Sequence, residues 1–514
     1  MNILALLNLC GLNVCGLNVC GVILSAAPGV SQPVPLADLL NIPREKRLAY
    51  INGLRVKPSA NAADAYTRAW QSFSLLYDFQ GDLSEEEVFE RNEVFEDLNE
   101  VLLRLDWNDK ETRVLSDWLK RNQQTLEQLK QACATEHAWW EVDLSFGDDA
   151  DDDEEYDPKN VMYFVQLNRM AKLAATRACA HANQGEWDEA VAWNLRILDM
   201  ARHVAQQPGA IESLSALSIE ILGINQATVF IQEQPDKFPW TLYQKFKHGD
   251  DAEGIAAATE AFEHIYTLNE LEDHHAWARG QFEGEPTWIE NIQLREDWSA
   301  SVDQIEKEIG EEINLEKAEI EAMGIQDWCG KQQHESVDAI RKALLATSVA
   351  KEWRAYEVCV ELWRKWARQP FHLAWRQRHD FARSYGKALR DSPTNFGLVC
   401  GIFPIEPWRT HALHNGLLLR RNGLATVMLI HEFKSTHGRF PNSLSEIDAK
   451  HKSYLEDAFS GRPLIYRLTN GGASFIVYSV GANQVDDGGA YEAYLLRLEG
   501  DFRIWPHFGP EQVE

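Results

Sequence analysis

The chain has 514 residues, 45% of them hydrophobic, with 50 basic against 79 acidic side chains and a net charge of −29. That length exceeds what one hydrophobic core usually supports, so two or three domains are expected. The charge repels phosphate over the whole surface and excludes general nucleic-acid binding, leaving only local basic strips as candidates for anionic partners.

Residues 1–27 read as a signal peptide or N-terminal membrane anchor. Ile3 to Ala27 is almost wholly apolar, interrupted by Asn8, Asn13, Asn18 and Ser25, and repeats Gly11–Cys15 directly as Gly16–Cys20. Small residues at Ser25 and Ala27 ahead of Pro28 form an Ala-x-Ala-like cleavage site. No Lys or Arg precedes Arg44, so the positive n-region is reduced to the amino group. The run also reaches the about 20 residues that a retained anchor needs, and lipid attachment at Cys20 is a third fate. Residues 28–60 read as an extended linker. Outside the leader, Cys133, Cys179, Cys329, Cys359 and Cys400 show no zinc-type spacing.

Residues 61–410 read as helix after helix. Val88 to Leu105 and Glu111 to Ala132 place apolar residues at three- and four-residue spacing with charges between them, as amphipathic helices require. The acidic run closed by Pro158, residues 147–158, cannot bury itself and reads as a solvated loop. Over 162–231, a helix rich in small residues (Ala171, Ala174, Ala175, Ala178, Ala182) meets a turn at Gly185 and a second helix from Trp187, similar to a tetratricopeptide-type hairpin. A second pair from Ile211 to Ile231 is expected to stack on it. Asp251 to Met323 suits a long, partly exposed helical hairpin, within which Glu272-Asp273-His274-His275 reads as solvated surface. Trp363, Arg364, Trp366, Arg368, Trp375 and Arg376 form the basic, aromatic-rich segment of an acidic chain. They make either an interaction patch for glycans, anionic head groups or RNA, or a buried Trp seam lined by Arg stems.

Residues 411–514 read as a small α+β module. Pro441 fixes its own φ and pushes Phe440 out of the helical region, so the helix from about Gly423 to His437 must stop by Gly438. Asp457-Ala458-Phe459-Ser460-Gly461-Arg462-Pro463 is turn chemistry. Leu464, Tyr466 and Leu468, then Phe475, Val477 and Ser479, then Tyr494 and Leu496, then Phe502 and Ile504 alternate at period two, as an antiparallel meander would. An acidic loop, Asn483 to Gly489, follows Tyr478-Ser479-Val480-Gly481.

This order resembles the C-terminal periplasmic part of the major pseudopilin of type II secretion systems, and the whole arrangement resembles a group of bacterial exported helical proteins ending in such a tail. The resemblance covers roughly the last ninety residues. It implies an envelope location and a structural Ca²⁺ in the loop, at the matching positions Asn483, Asp486 and Asp487, with Asn where the family has a first acidic residue. The other reading is a tight loop whose carboxylates cap backbone N–H groups without metal. The start of a polymerising pseudopilin, Gly followed by Phe-Thr-Leu-x-Glu, is absent.

The expected fold is mainly α, with helical hairpins that are TPR-like in part, and a small C-terminal α+β module of a helix plus an antiparallel β meander. No P-loop, dinucleotide fingerprint or Gly-x-Ser-x-Gly elbow is present. His431, Glu432 and His437 do not have the four-residue histidine spacing of a zinc helix. The expectation is therefore an exported or envelope-anchored, non-enzymatic interaction protein with a protein partner in the cell envelope and no cofactor other than calcium. The alternative is an envelope protein that binds or hydrolyses polysaccharide along a Trp- and carboxylate-lined groove.

Overall fold

Helical periodicity and β alternation are both realised. The fold is predominantly helical, with a small C-terminal three-stranded antiparallel meander. The computed structural model describes residues 36–54, 57–76, 92–95, 97–141, 163–207, 210–238, short stretches between 264 and 281, 341–377 except 343 and 368, 407–481, 483–489 and 500–506. The leader, the acidic run 147–158 and all of 282–340 lie outside them, as do Tyr494 and Leu496. The chain divides into two discontinuous units. One comprises Met1–Ile51 with Ala256–Ala412, the other Asn52–Ile255 with Leu413–Glu514.

The second unit carries α3 (Ala63–Gln71), α4 (Leu98–Val101), α5 (Asp109–Arg121), α6 (Gln123–Cys133), α7 (Tyr163–Asn183), α8 (Trp187–Ala205) and α9 (Ala210–Glu233). Helix α5 starts on a capping box: the Asn108 side chain accepts from the Glu111 amide, and Glu111 accepts from the Asn108 amide, both at 2.9 Å. Two orphan amides of the first turn are thereby satisfied. Buried Asn122, between α5 and α6, exchanges hydrogen bonds with both backbone groups of Ser74 at 2.8 and 2.9 Å. The chain after α3 is pinned there.

Helices α7 and α8 form the expected hairpin around Gly185, whose φ of +76° is open to glycine at little cost. The alanines of α7 are buried and admit close packing. The second pair expected from Ile211 to Ile231 is instead the single helix α9 of 24 residues. Its internal Gly223 serves close approach rather than a turn, since a Cβ there would lie 2.7 Å from Leu198. Asn194 donates to the Gly223 carbonyl at 2.9 Å, and Gln226 donates to the Ala175 carbonyl at 3.0 Å, tying α7, α8 and α9 together.

The partner of α9 comes from far along the chain. Helix α12 (Pro407–His437) contributes Arg421, which makes a two-armed ion pair with Glu220, and Arg420, which donates to Asn225 at 2.9 Å. After α12 the chain makes β1 (Ile465–Thr469), β2 (Ser474–Ser479) and β3 (Phe502–Trp505) in the order β1-β2-β3. Register runs from Ile465↔Tyr478 to Thr469↔Ser474, and Val477↔Trp505 to Ser479↔Phe502 with an irregularity at Val477/Tyr478. Beneath α12 lies an aromatic core: Phe475 stacks on Trp505 at 5.5 Å and meets Phe440 edge-on at 4.9 Å. Gly423 lets Ile504 approach the helix backbone, where a Cβ would sit 2.7 Å from Ile504. Leu468, expected on the buried face, is 36% exposed, one pair from the hairpin end.

In the first unit, the stretch read as a linker holds helices α1 (Leu36–Leu39) and α2 (Arg44–Gly53). Arg47, 2% exposed, forms a two-armed ion pair with Glu272, and Arg44 pairs with Asp273. The Glu272-Asp273 carboxylates read as solvated surface are thus docking points, and His275 beside them is buried. Helices α10 (Val349–Ala367) and α11 (Phe371–Arg376) complete the described part. On α10, buried Trp353 and Tyr356 pack together, and Tyr356 bonds His264 at 3.0 Å.

Candidate functional site

The region singled out by the sequence is the end of the sheet from which the acidic loop emerges. Asp457, 2% exposed, organises the turn before β1. Its Oδ1 accepts from the Phe459 amide at 2.9 Å and the Ser479 hydroxyl at 2.7 Å; its Oδ2 accepts from the Ser460 hydroxyl at 2.9 Å and the Val480 amide at 3.3 Å. One carboxylate thus joins the Asp457–Pro463 turn to the end of β2, with all its strong acceptor positions used.

The loop itself is tightly bonded. Asp486 Oδ1 accepts from the Tyr478 hydroxyl at 2.9 Å and the Gly488 amide at 3.0 Å, and Oδ2 faces Arg467 at 3.4 Å. The Gly488 amide and the Tyr478 hydroxyl hold the Asp486 carboxyl below its usual range. Burial foremost, then the bond to Asp486, pushes the Tyr478 phenol up to about 12. Asn483 accepts from the Val485 amide at 3.1 Å and donates to Asp487 at 3.3 Å. Asp501, 1% exposed, accepts from the Gly489 amide at 2.6 Å through Oδ2, while its Oδ1 meets no donor at hydrogen-bond geometry among the described residues. Burial raises the Asp501 carboxyl, opposed by backbone donors.

Among the described residues, this arrangement does not offer the open oxygen cage that a calcium ion takes. Ca²⁺ takes roughly six to eight oxygens at about 2.3–2.6 Å. Here the side-chain oxygens of Asn483 and Asp486 are turned to protein donors, and Asp501 Oδ1 is the one buried carboxylate oxygen of the loop end without a hydrogen-bond partner among the described residues. Among the described residues, no three His, Cys, Asp or Glu side chains converge to hold a metal. His431 and His437 also stay apart in role. His431 sits among Phe440, Phe475 and Trp505, with ring centres 5.5 to 5.7 Å away, and burial pushes it down to about 4. His437 stacks on Phe433 instead.

For the basic, aromatic segment, Trp363, Arg364 and Trp366 lie on α10 and Trp375 and Arg376 on α11. Their side chains, and Arg368 altogether, lie outside the described residues.

A buried polar cluster escaped the sequence reading. His203 donates through Nε2 to the Thr135 carbonyl at 2.9 Å and accepts at Nδ1 from the Tyr66 hydroxyl at 2.8 Å, with Cys133 Sγ 3.8 Å from that hydroxyl. The carbonyl can only accept, which fixes the tautomer. Burial drives His203 down to about 4 and the Cys133 thiol up to about 12, and raises the Tyr66 phenol well above its ordinary value. All three are neutral at pH 7, so the cluster holds helices together and supplies neither a thiolate nor a proton carrier. Its only sequence signal is polar residues at positions of an apolar helix face.

Comparison with protein families, with characterised proteins and with solved structures finds no match for this chain. Among the described residues, no helix is long and apolar enough to cross a membrane.

Proposed function

We propose that this chain is an exported or envelope-anchored, non-enzymatic interaction protein. Its stacked helices form a scaffold, and its C-terminal pseudopilin-like module meets a protein partner in the cell envelope. One observation carries the reading: the order of parts in the tail. Helix α12 ends at Gly438, a Phe440-Pro441 turn follows, the Asp457 turn leads into β1, and β2 ends in Ser479-Val480-Gly481 before an acidic loop. The apolar leader and its Ser25/Ala27 site favour export. The neutral Tyr66–His203–Cys133 cluster agrees with a structural rather than catalytic interior. Trp118, Trp193, Trp353 and Trp505 are all buried, so these tryptophans serve the core rather than a glycan-binding groove.

The test is affinity capture from envelope fractions, with the full chain compared to Asp457→Ala, which loosens the Asp457–Pro463 turn and its tie to the end of β2. A defined envelope protein recovered with the native chain and lost with the variant supports the reading. Equal recovery of the same protein by both would move the interaction surface off the module.

A further inference from the structure

We infer that the acidic loop after β2 is locked by three donors supplied one from each strand of the sheet, so that its folded state is independent of calcium. Asp486 is the centre of the lock. Tyr478, on β2, donates its hydroxyl to Asp486 Oδ1 at 2.9 Å, and Arg467, on β1, faces Oδ2 at 3.4 Å. The Arg467 guanidinium also lies 5.5 Å from the centre of the Tyr478 ring. One cation therefore neutralises the carboxylate and braces the ring that donates to it.

The third strand closes the other side. Arg503, paired with Tyr478 in register, donates through Nε at 3.0 Å and Nη2 at 2.7 Å to the Gly489 carbonyl. A backbone carbonyl is the kind of oxygen a hard cation would take in such a loop. Gly489 has φ +84°, and a Cβ there would sit 3.1 Å from the Tyr478 ring, so the loop backbone lies against that ring. The Gly489 amide meanwhile donates to buried Asp501.

The local charge balance agrees. Asp457, Asp486, Asp487 and Asp501 bring four carboxyls to this end of the sheet among the described residues; Asp457 is held by its own turn, and the two guanidiniums set against the loop together carry the same positive charge as one divalent cation. The pseudopilin resemblance implies a bound metal at these positions; the chain's own arginines stand in its place. The inference does not depend on where the protein works, since the test needs only folded full-length chain.

Hydrogen exchange of the full chain, read by mass spectrometry on peptides spanning Tyr478 to Gly489, tests it. Native protein is expected to exchange alike in millimolar CaCl₂ and in EDTA. Arg467→Met, which keeps an apolar stem over the ring, is expected to speed exchange of the Gly488 and Gly489 amides about two- to fivefold, the scale of one half-exposed ion pair. Tyr478→Phe removes only the hydroxyl and reads the same lock should Arg467→Met fail to fold. Slower exchange of the native loop in CaCl₂ than in EDTA would overturn the inference, as would two folded variants that exchange like the native chain.

Discussion

Removing the Asp457 carboxylate is the sharpest perturbation of the C-terminal module. In Asp457→Ala, two backbone amides (Phe459, Val480) and two hydroxyls (Ser460, Ser479) lose their acceptor. Hydroxyls can rotate toward other partners, but the amides cannot. Each buried amide left without an acceptor costs about 1–3 kcal/mol. With part of the hydroxyl loss added, the turn should open about 3–4 kcal/mol more easily. Asp457→Asn keeps one carbonyl oxygen but presents an NH₂ group to one of the two amides, and should cost about 2 kcal/mol. The chain divides into two units, so a single global melting midpoint would mix their transitions. Native-state hydrogen exchange at Phe459 and Val480 is the appropriate assay. The Ala variant should exchange at least about a hundredfold faster there, and the Asn variant less than the Ala variant. Native-like exchange in both would refute the view that this carboxylate holds the turn to β2.

Three further outcomes follow from the geometry. His203 titrates at about 4 in the folded chain against an ordinary 6.5, so the unfolded chain takes up its proton first; the stabilisation is complete above about pH 6.5 and is lost as pH falls toward 4. That is about 3 kcal/mol, and buried His431 acts in the same direction; urea midpoints should fall across this window, with a shallower fall in His203→Gln. Cys133 and Cys179 are buried, with thiols pushed up to about 12, so thiol alkylation counted by mass should leave both unmodified until the chain unfolds. Gly423→Val would drive a branched side chain into Ile504, whose Cγ2 would lie only 2.7 Å from the new Cβ, and should cost about 1–3 kcal/mol, read as faster hydrogen exchange in β3.

Much of the C-terminal module was legible because its determinants are local. Pro441 and Gly438 stop α12, Phe475 and Val477 alternate into the core, and Asn470-Gly471-Gly472 turns the first hairpin. The start of α12 was missed. It runs from Pro407, and its earlier turns carry Arg420 and Arg421, whose partners on α9 lie about 200 residues away in sequence. The same cause explains the misread linker: Arg44 and Arg47 look solvated until Glu272 and Asp273, more than 220 residues on, are brought beside them. The pair expected over Ile211 to Ile231 proved to be one helix, in which Gly223's lack of a side chain serves packing against Leu198. The loop lock was hidden for a related reason. Strand register, not spacing, sets Arg467, Tyr478 and Arg503 around one loop.

Export of this chain is tested by the intact mass of the protein recovered from fractionated cells. Protein is expected in the envelope or periplasmic fraction with residues 1–27 removed, or retained there as an anchor. A full-length chain carrying Met1 and found in the cytosol would contradict it.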